Sequence, residues 1–236
     1  MKYDNPLLVR WEYASEERLQ KRNAILRSLS TGPNPEDAAF AAVAAAAPKR
    51  ILDVGCGLGE LGERFATELG AQVQAIDTSP RMVELARARG LDAQIADVEA
   101  LPFPDGSFDC VFAGWVLYHV SNLERGIAEC RRVLARGGTL VAASVSNDNL
   151  AEVWELLGGR SRSPLSFTRE NGEALLAPHF SRVERADVDG TIVFPDTESL
   201  RNFVASTIDS AHLAPSVPEL TEPFRATSRH VIFTAS

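Results

Sequence analysis

The chain has 236 residues, 45% hydrophobic and 24% charged, with 32 acidic against 24 basic side chains and a formal net charge of −8. That length buries a sizeable core and suits a single α/β domain, and the composition excludes a disordered or fibrous chain. An acidic chain without a basic patch disfavours phosphate backbones and anionic membranes, so neither nucleic acid nor membrane is expected as a partner.

The opening stretch "MKYDNPLLVRWEY" lacks the apolar core of a signal peptide, and no apolar run is long enough to span a bilayer, so a cytoplasmic protein is expected. Residues 1–30 carry Tyr3, Trp11 and Tyr13 and then a helical pattern, Leu19, Ile25, Leu26 and Leu29, broken at Thr31-Gly-Pro33. Asn34 is a predicted N-cap with Pro35 at the first helical position, and the alanine run 38–47 continues that helix until Pro48. From Arg50 strands and helices alternate. Strands are predicted at Ile51–Val54, Gln72–Ile76, Gln94–Ala96, Phe108–Ala113 and Thr139–Ser144. Between them lie helices over Glu60–Leu69, from the Ser79-Pro80 cap to Gly90, and from a capping box Ser121-x-x-Glu124 to Ala135. This rhythm predicts a mostly parallel sheet with helices on both faces. After Ser146 it loosens. Helices are expected at Leu150–Leu157, from a Thr168 cap to Ala177 and near Ser199–His212, with strands at Val183–Val188 and Val231–Thr234. The three cysteines, Cys56, Cys110 and Cys130, have no C-x-x-C spacing, and histidines and carboxylates do not cluster, so neither a disulfide frame nor a metal is expected.

The stretch "ILDVGCGLGELG" carries two overlapping glycine patterns. Counted from Gly57 it is G-x-G-x-x-G, the fingerprint of a dinucleotide site; counted from Asp53 it is D-x-G-x-G-x-G, the loop of S-adenosylmethionine (SAM) enzymes. Both use an acid at the end of the next strand, and Asp77 stands there, so the loop alone leaves the choice open. Three features outside it decide. Asp53 puts a carboxylate inside the first strand, where a pyrophosphate is unwelcome and an ammonium welcome. Asp97-Val98 pairs an acceptor with a backbone donor suited to an adenine edge. The stretch "EALPFPDGSFDCV" follows, then "RRVLARGGTLVAAS" and two trailing strands that fit a sheet with one reversed strand.

Over about Pro48 to Ser146 the chain resembles class I SAM-dependent methyltransferases, in particular the small-molecule group that shares "LPFPDGSFD". The resemblance implies a Rossmann-like seven-stranded sheet in the order 3-2-1-4-5-7-6 with strand 7 antiparallel, and SAM as cofactor with S-adenosylhomocysteine as product. It implies that Gly55, Cys56 and Gly57 pass beneath the methionine part of SAM and that Asp77 holds the ribose hydroxyls. It further implies that Thr78 and Met82 border the adenosine, Met82 against the adenine face, that Asp97 and Val98 read the adenine edge, and that backbone near Ala113 receives the ammonium. The role of Glu60, where the family often has Thr or Ser, is left open.

His119 follows "AGWVLY" and is the candidate catalytic residue, a general base toward a hydroxyl or amine acceptor or else a positional histidine. His179, His212 and His230 read as surface residues, and Arg160, Arg162 and Arg169 as solvated loop charges. Trp11, Tyr13, Trp115 and Tyr118 are candidates to bind the acceptor, or core fillers. The expected organisation is one methyltransferase domain: residues 1–30 as a helical lid, 34–146 as the SAM-binding core and 147–236 as acceptor-side segments and closing strands. The expected activity is methyl transfer from SAM to an O, N or C atom of a small molecule. The alternatives are a nicotinamide-dependent oxidoreductase, disfavoured by Asp53 and Asp97, and a non-catalytic SAM-binding regulator.

Overall fold

The structure, a computed structural model, describes residues 6–159, 165–207 and 209–236. Its elements are α1 Pro6–Glu12, α2 Glu17–Leu29, β1 Ser30–Thr31, α3 Pro35–Ala45, β2 Arg50–Val54, α4 Glu60–Leu69, β3 Gln72–Asp77, α5 Pro80–Ala88, β4 Asp92–Ile95 and β5 Phe108–Gly114. There follow α6 Leu123–Val133, β6 Leu134–Val145, α7 Ala151–Leu156, α8 Gly172–Leu176, β7 Val183–Phe194, α9 Thr197–Val204 and β8 Phe224–Ala235.

All eight strands form one sheet in the order β1-β7-β8-β6-β5-β2-β3-β4. Read from β4, the seven expected strands stand in the expected order, and the two-residue β1 is added at the far edge against β7. Strand β8 runs antiparallel to both β6 and β7, while β2, β3, β4, β5 and β6 are mutually parallel. The central strand β2 is buried at Ile51, Leu52, Asp53 and Val54, because helices cover both of its faces. On one face Phe65, Val83 and Ala86 pack with Ala39 and Val43 of α3. On the other, Ile127, Cys130 and Val133 of α6 meet Phe108, Phe167 and Phe233. A third cluster, Trp154, Ile192, Phe194, Leu200 and Phe203, fills the end of the β7–β8 hairpin, and Ile25, Leu26 and Leu29 of α2 pack against it.

The caps at α3 and α5 are as expected: Asn34 accepts from the Glu36 amide and Ser79 from the Met82 amide, each with proline following. Several boundaries differ: β6 already starts at Leu134 and α9 ends at Val204. The cap of α6 is Asn122, whose side chain accepts from the Arg125 amide, so the Ser121–Glu124 box is not the one used. Thr168 does cap the turn into α8, its Oγ1 accepting from the Glu170 amide at 3.2 Å and its carbonyl from the Gly172 amide at 2.9 Å, but regular α8 starts only at Gly172. Strands β7 and β8 run 12 residues each, well beyond the expected Val183–Val188 and Val231–Thr234, because their distal halves pair with each other beyond β6.

The motif 101–109 turns out to be a packing device. Arg132 donates to Leu101 O (3.0 Å), Phe103 O (2.7 Å) and Asp105 Oδ1 (2.8 Å), and Glu129 accepts from the Leu101 amide at 2.8 Å. Asp109 accepts from the Arg50 side chain at 2.8 Å and from the Lys49 and Arg50 amides. The motif thus fastens β5 and its entry loop to α6 and β2.

Candidate functional site

A cavity of about 1050 Å³ opens at the carboxyl ends of β2, β3 and β5. Its floor is the glycine loop. The amides of Gly55 and Cys56 both donate to Ile76 O, at 2.8 and 3.0 Å, which turns the chain sharply out of β2. Gly55 does so at φ 67°, and a β-carbon there would lie 2.3 Å from a Val116 methyl, so both the dihedral and the space require glycine. Gly62 serves differently: a β-carbon on it would lie 2.9 Å from Asp53 Oδ2, so its absence lets α4 pack down on β2.

Asp77 closes the loop from the next strand. Its Oδ2 accepts from the Gly57 amide at 3.0 Å and its Oδ1 from the Ser79 amide at 2.9 Å. Each oxygen keeps a further acceptor position for a ligand hydroxyl. Burial pushes its pKa up, against the pull of these amides. Asp53 is 3% exposed and lines the same cavity, and among the described residues it has no hydrogen-bonding or ion-pair partner. Burial, then the nearby Asp77 charge, pushes its pKa up to about 7. A buried carboxylate that lines a cavity without donors of its own is costly to ionise unless a ligand supplies a cationic or donor group.

Of the other expected cofactor residues, Gly55, Cys56, Gly57, Thr78, Asp97 and Val98 line the cavity. One Asp97 oxygen accepts from the Glu99 amide at 2.9 Å and caps the 3₁₀ turn Val98–Ala100. Burial holds the Cys56 thiol far above its ordinary pKa, consistent with a filler and not a nucleophile. Met82 and Ala113 are fully buried and do not line the cavity, and Gly114 takes the lining position next to Ala113.

The upper wall comes from the N-terminal segment. Tyr13, Leu19, Arg22, Leu26 and Arg27 line the cavity. Ser79 Oγ donates to Tyr13 O at 2.8 Å, and Arg81 forks onto both carboxylate oxygens of Glu16, at 2.6 and 2.8 Å. Glu60 ion-pairs with Arg27 of α2, which ties the first turn of α4 to the covering helix and gives that residue a role. Arg22 bonds Glu12 at 2.6 Å beside Tyr13. Tyr13 Oη lies 3.1 Å from His119 Nε2, and both rings face the cavity with Tyr118 and Trp115. Trp11 departs from expectation: it is 73% exposed and is not part of the lining, because α1 turns it outward.

His230 was read as a surface residue, and the structure corrects that. It stands on β8 in the cavity wall, where its Nδ1 accepts from the Trp115 indole at 3.0 Å, and burial lowers its pKa to about 4. Nothing local in the sequence marks it. The same holds for Arg22, which lies 97 positions before His119, its companion on the cavity wall. Arg169 is also more engaged than expected, pairing with Asp187 and, at 2.6 Å, Asp189. Arg160 and Arg162 lie outside the described residues. Among the described residues no set of histidine, cysteine and carboxylate side chains is grouped to hold a metal, and no helix is long and apolar enough to cross a membrane.

Comparison with known proteins agrees with this geometry. The family model described as a methyltransferase domain matches residues 52–142. The demethylmenaquinone methyltransferase of Thermus thermophilus is 43% identical over 102 residues, 40% of this chain and 46% of the relative. The malonyl-[acyl-carrier protein] O-methyltransferase of Geobacter sulfurreducens is 34% identical over 173 residues, 66% of this chain and 65% of the relative. The chain thus spans about half to two thirds of the length of these curated relatives. In structure, a SAM-dependent methyltransferase of Thermotoga maritima superposes with a TM-score of 0.60 over 96% of this chain and 98% of that one, at 20% identity, a likeness of fold. Residues 52–142 thus match the methyltransferase domain family, and the sheet that carries them has the fold of class I SAM-dependent methyltransferases.

Proposed function

We propose that this chain transfers a methyl group from SAM to an oxygen, nitrogen or carbon of a small molecule and releases S-adenosylhomocysteine. The observation that carries the reading is the pair of cavity-facing carboxylates over a glycine loop: Asp77 with acceptor capacity left for ribose hydroxyls, and Asp53 with no protein partner for its charge. A dinucleotide pyrophosphate over the glycine loop would meet Asp53 as a like charge. In this reading Gly55, Cys56 and Gly57 pass beneath the methionine part, Thr78 borders the ribose, and Asp97 and Val98 receive the adenine edge. The ammonium goes to Asp53 and to backbone near Ala113 and Gly114. Met82 supports the adenine side from its buried position in α5.

Bound SAM supplies a methyl group already activated by its sulfonium. The chain's own task is to align the acceptor and exclude water. Residues 1–30 act as the lid, held down by Arg81–Glu16 and Arg27–Glu60. Residues 34–146 are the cofactor core, and 147–236 complete the acceptor side. Where the acceptor carries a proton, the His119–Tyr13 pair takes it: the imidazole is the base, and the Tyr13 hydroxyl on its Nε2 carries the proton between acceptor and ring. At about 1050 Å³ the cavity exceeds the usual range for one small ligand and has room for cofactor and acceptor together.

Thermal unfolding with SAM, S-adenosylhomocysteine and NAD(P)H tests the reading. At roughly a hundredfold excess over Kd, a bound ligand adds about 2.7 kcal/mol. The two sulfur compounds are expected to raise Tm and the nicotinamides to leave it unchanged; a shift with NAD(P)H alone would return the glycine loop to its dinucleotide alternative.

A further inference from the structure

The acceptor half of the cavity is walled by Val145, Leu150, Trp154, Ile192 and Phe203, and set into that apolar wall is His230. Its strand leaves it little freedom. On β8 it lies directly opposite Val145 of β6 and Val188 of β7, held by ladders on both sides. Its ring meets Trp115 edge-on, with centroids 5.8 Å apart at 81°.

The Trp115 hydrogen bond determines the proton position on His230. An indole nitrogen only donates, so at 3.0 Å His230 Nδ1 must be the acceptor. In the neutral ring the proton then sits on Nε2. A protonated ring would turn Nδ1–H against the indole N–H, which opposes charging, and burial favours the neutral ring as well. Trp115 is itself held in an unusual conformation, φ 55°, with its amide on Ala143 O at 2.9 Å. A bulky residue adopts that region only where the surroundings impose it. The result is an indole aimed at one imidazole nitrogen and an N–H on the other side of the ring. Nε2 has no partner among the described residues.

We propose that His230 recognises the methyl acceptor, its Nε2–H donating a hydrogen bond to an oxygen of a neutral, largely apolar molecule lodged against the Val145–Trp154–Phe203 wall. This rests on the methyltransferase reading, with SAM occupying the other half of the cavity. A donor in an apolar wall selects by chemistry: a carbonyl, ether or phenol oxygen completes it, an ammonium presents donor to donor, and a pure hydrocarbon leaves it unsatisfied. Trp115 is the positioning residue, acting through the His230 tautomer.

The test uses the full chain saturated with S-adenosylhomocysteine and two probes of one shape, 2-acetylnaphthalene and 2-isopropylnaphthalene, which differ in the carbonyl. Affinities are measured by calorimetry for wild type, His230→Phe and His230→Gln, and ¹⁵N NMR reads the His230 ring in the wild type. The ratio of ketone to hydrocarbon affinity is expected to fall roughly three- to tenfold in His230→Phe. It should return in His230→Gln, whose amide nitrogen replaces Nε2, and the NMR should show the Nε2-protonated neutral ring. An unchanged ratio in His230→Phe, no binding of either probe to wild type, or a ring protonated at Nδ1 would each overturn the proposal. The NMR arm needs no substitution and stands if His230→Phe fails to fold. Failure of S-adenosylhomocysteine to bind would instead sink the cofactor reading, and the probe ratios, measured without it, would still decide the role of His230.

Discussion

The two halves of the cavity are built in different ways. The half proposed for the cofactor is made of backbone turns and short polar side chains at successive strand ends: Asp53 within β2 and Gly55 just after it, Asp77 at the end of β3, Asp97 after β4, Gly114 at the end of β5. Every one of them is positioned by the strand that holds or precedes it. The half proposed for the acceptor is made of long side chains from distant segments, Tyr13 and Arg22 from the N-terminal segment, Trp154 from α7, Phe203 from α9 and His230 from β8. Each of these is positioned by a neighbour from elsewhere in the chain. The first arrangement suits a ligand that does not change; the second lets the acceptor pocket vary without disturbing the sheet.

If that division is right, substitutions in one half should spare the other. The largest effect is expected at Asp77→Ala, which removes the carboxylate that binds the Gly57 and Ser79 amides and leaves both short of a partner. Affinity for S-adenosylhomocysteine should fall by ~100-fold in calorimetry, while probe binding in the acceptor half changes little. Gly55→Ala tests whether the floor is set by its own backbone. With φ 67° and Val116 at 2.3 Å from the new carbon, it should cost about 2 kcal/mol or more, seen as a Tm lower by about 4–8 °C.

Tyr13→Phe probes the other half. It removes the hydroxyl 3.1 Å from His119 and should slow turnover of a hydroxyl acceptor by roughly tenfold, with cofactor affinity unchanged. Loss of cofactor binding in that variant would break the division, because it would make the lid part of the cofactor site.

Asp53→Asn gives the subtlest result and the one that depends on pH. Held above its unfolded value of about 4, Asp53 contributes stability that is complete below that pH and is lost as the pH rises through about 7. Removing the carboxylate should therefore raise Tm by several degrees near pH ~8 and by less near pH ~5, while weakening cofactor binding. A Tm gain independent of pH would mean that the Asp53 carboxylate is not the titrating group.

Much of the cofactor half was legible in the sequence, because its signals are local. Glycines at a strand-to-helix turn, Ser79 before Pro80 and an acid closing each strand lie within a few residues of the structure they specify. The same locality explains what was misplaced. Met82 follows Asp77 by five positions, close enough in sequence to suggest a cavity position, yet in α5 it is fully buried and does not line the cavity. Ser121 and Glu124 have capping-box spacing, but Asn122 offers the better-placed oxygen. Trp11 has the composition of a pocket residue, and only the turn of α1 decides that it faces outward.

By itself, then, the sequence determined a mostly parallel sheet with helices on both faces and the acids at its strand ends, since periodicity, caps and turns act over a few residues; the strand order came only from the family resemblance. The tertiary structure alone decided the acceptor end. His230 and Trp115 are 115 positions apart, Tyr13 and His119 106, and no spacing rule relates either pair. The His230–Trp115 pairing, the Nε2 proton it fixes and the donor it presents to the cavity exist because β8 lies antiparallel beside β6 with β5 one strand further on. That is a property of the closed sheet and of none of its segments.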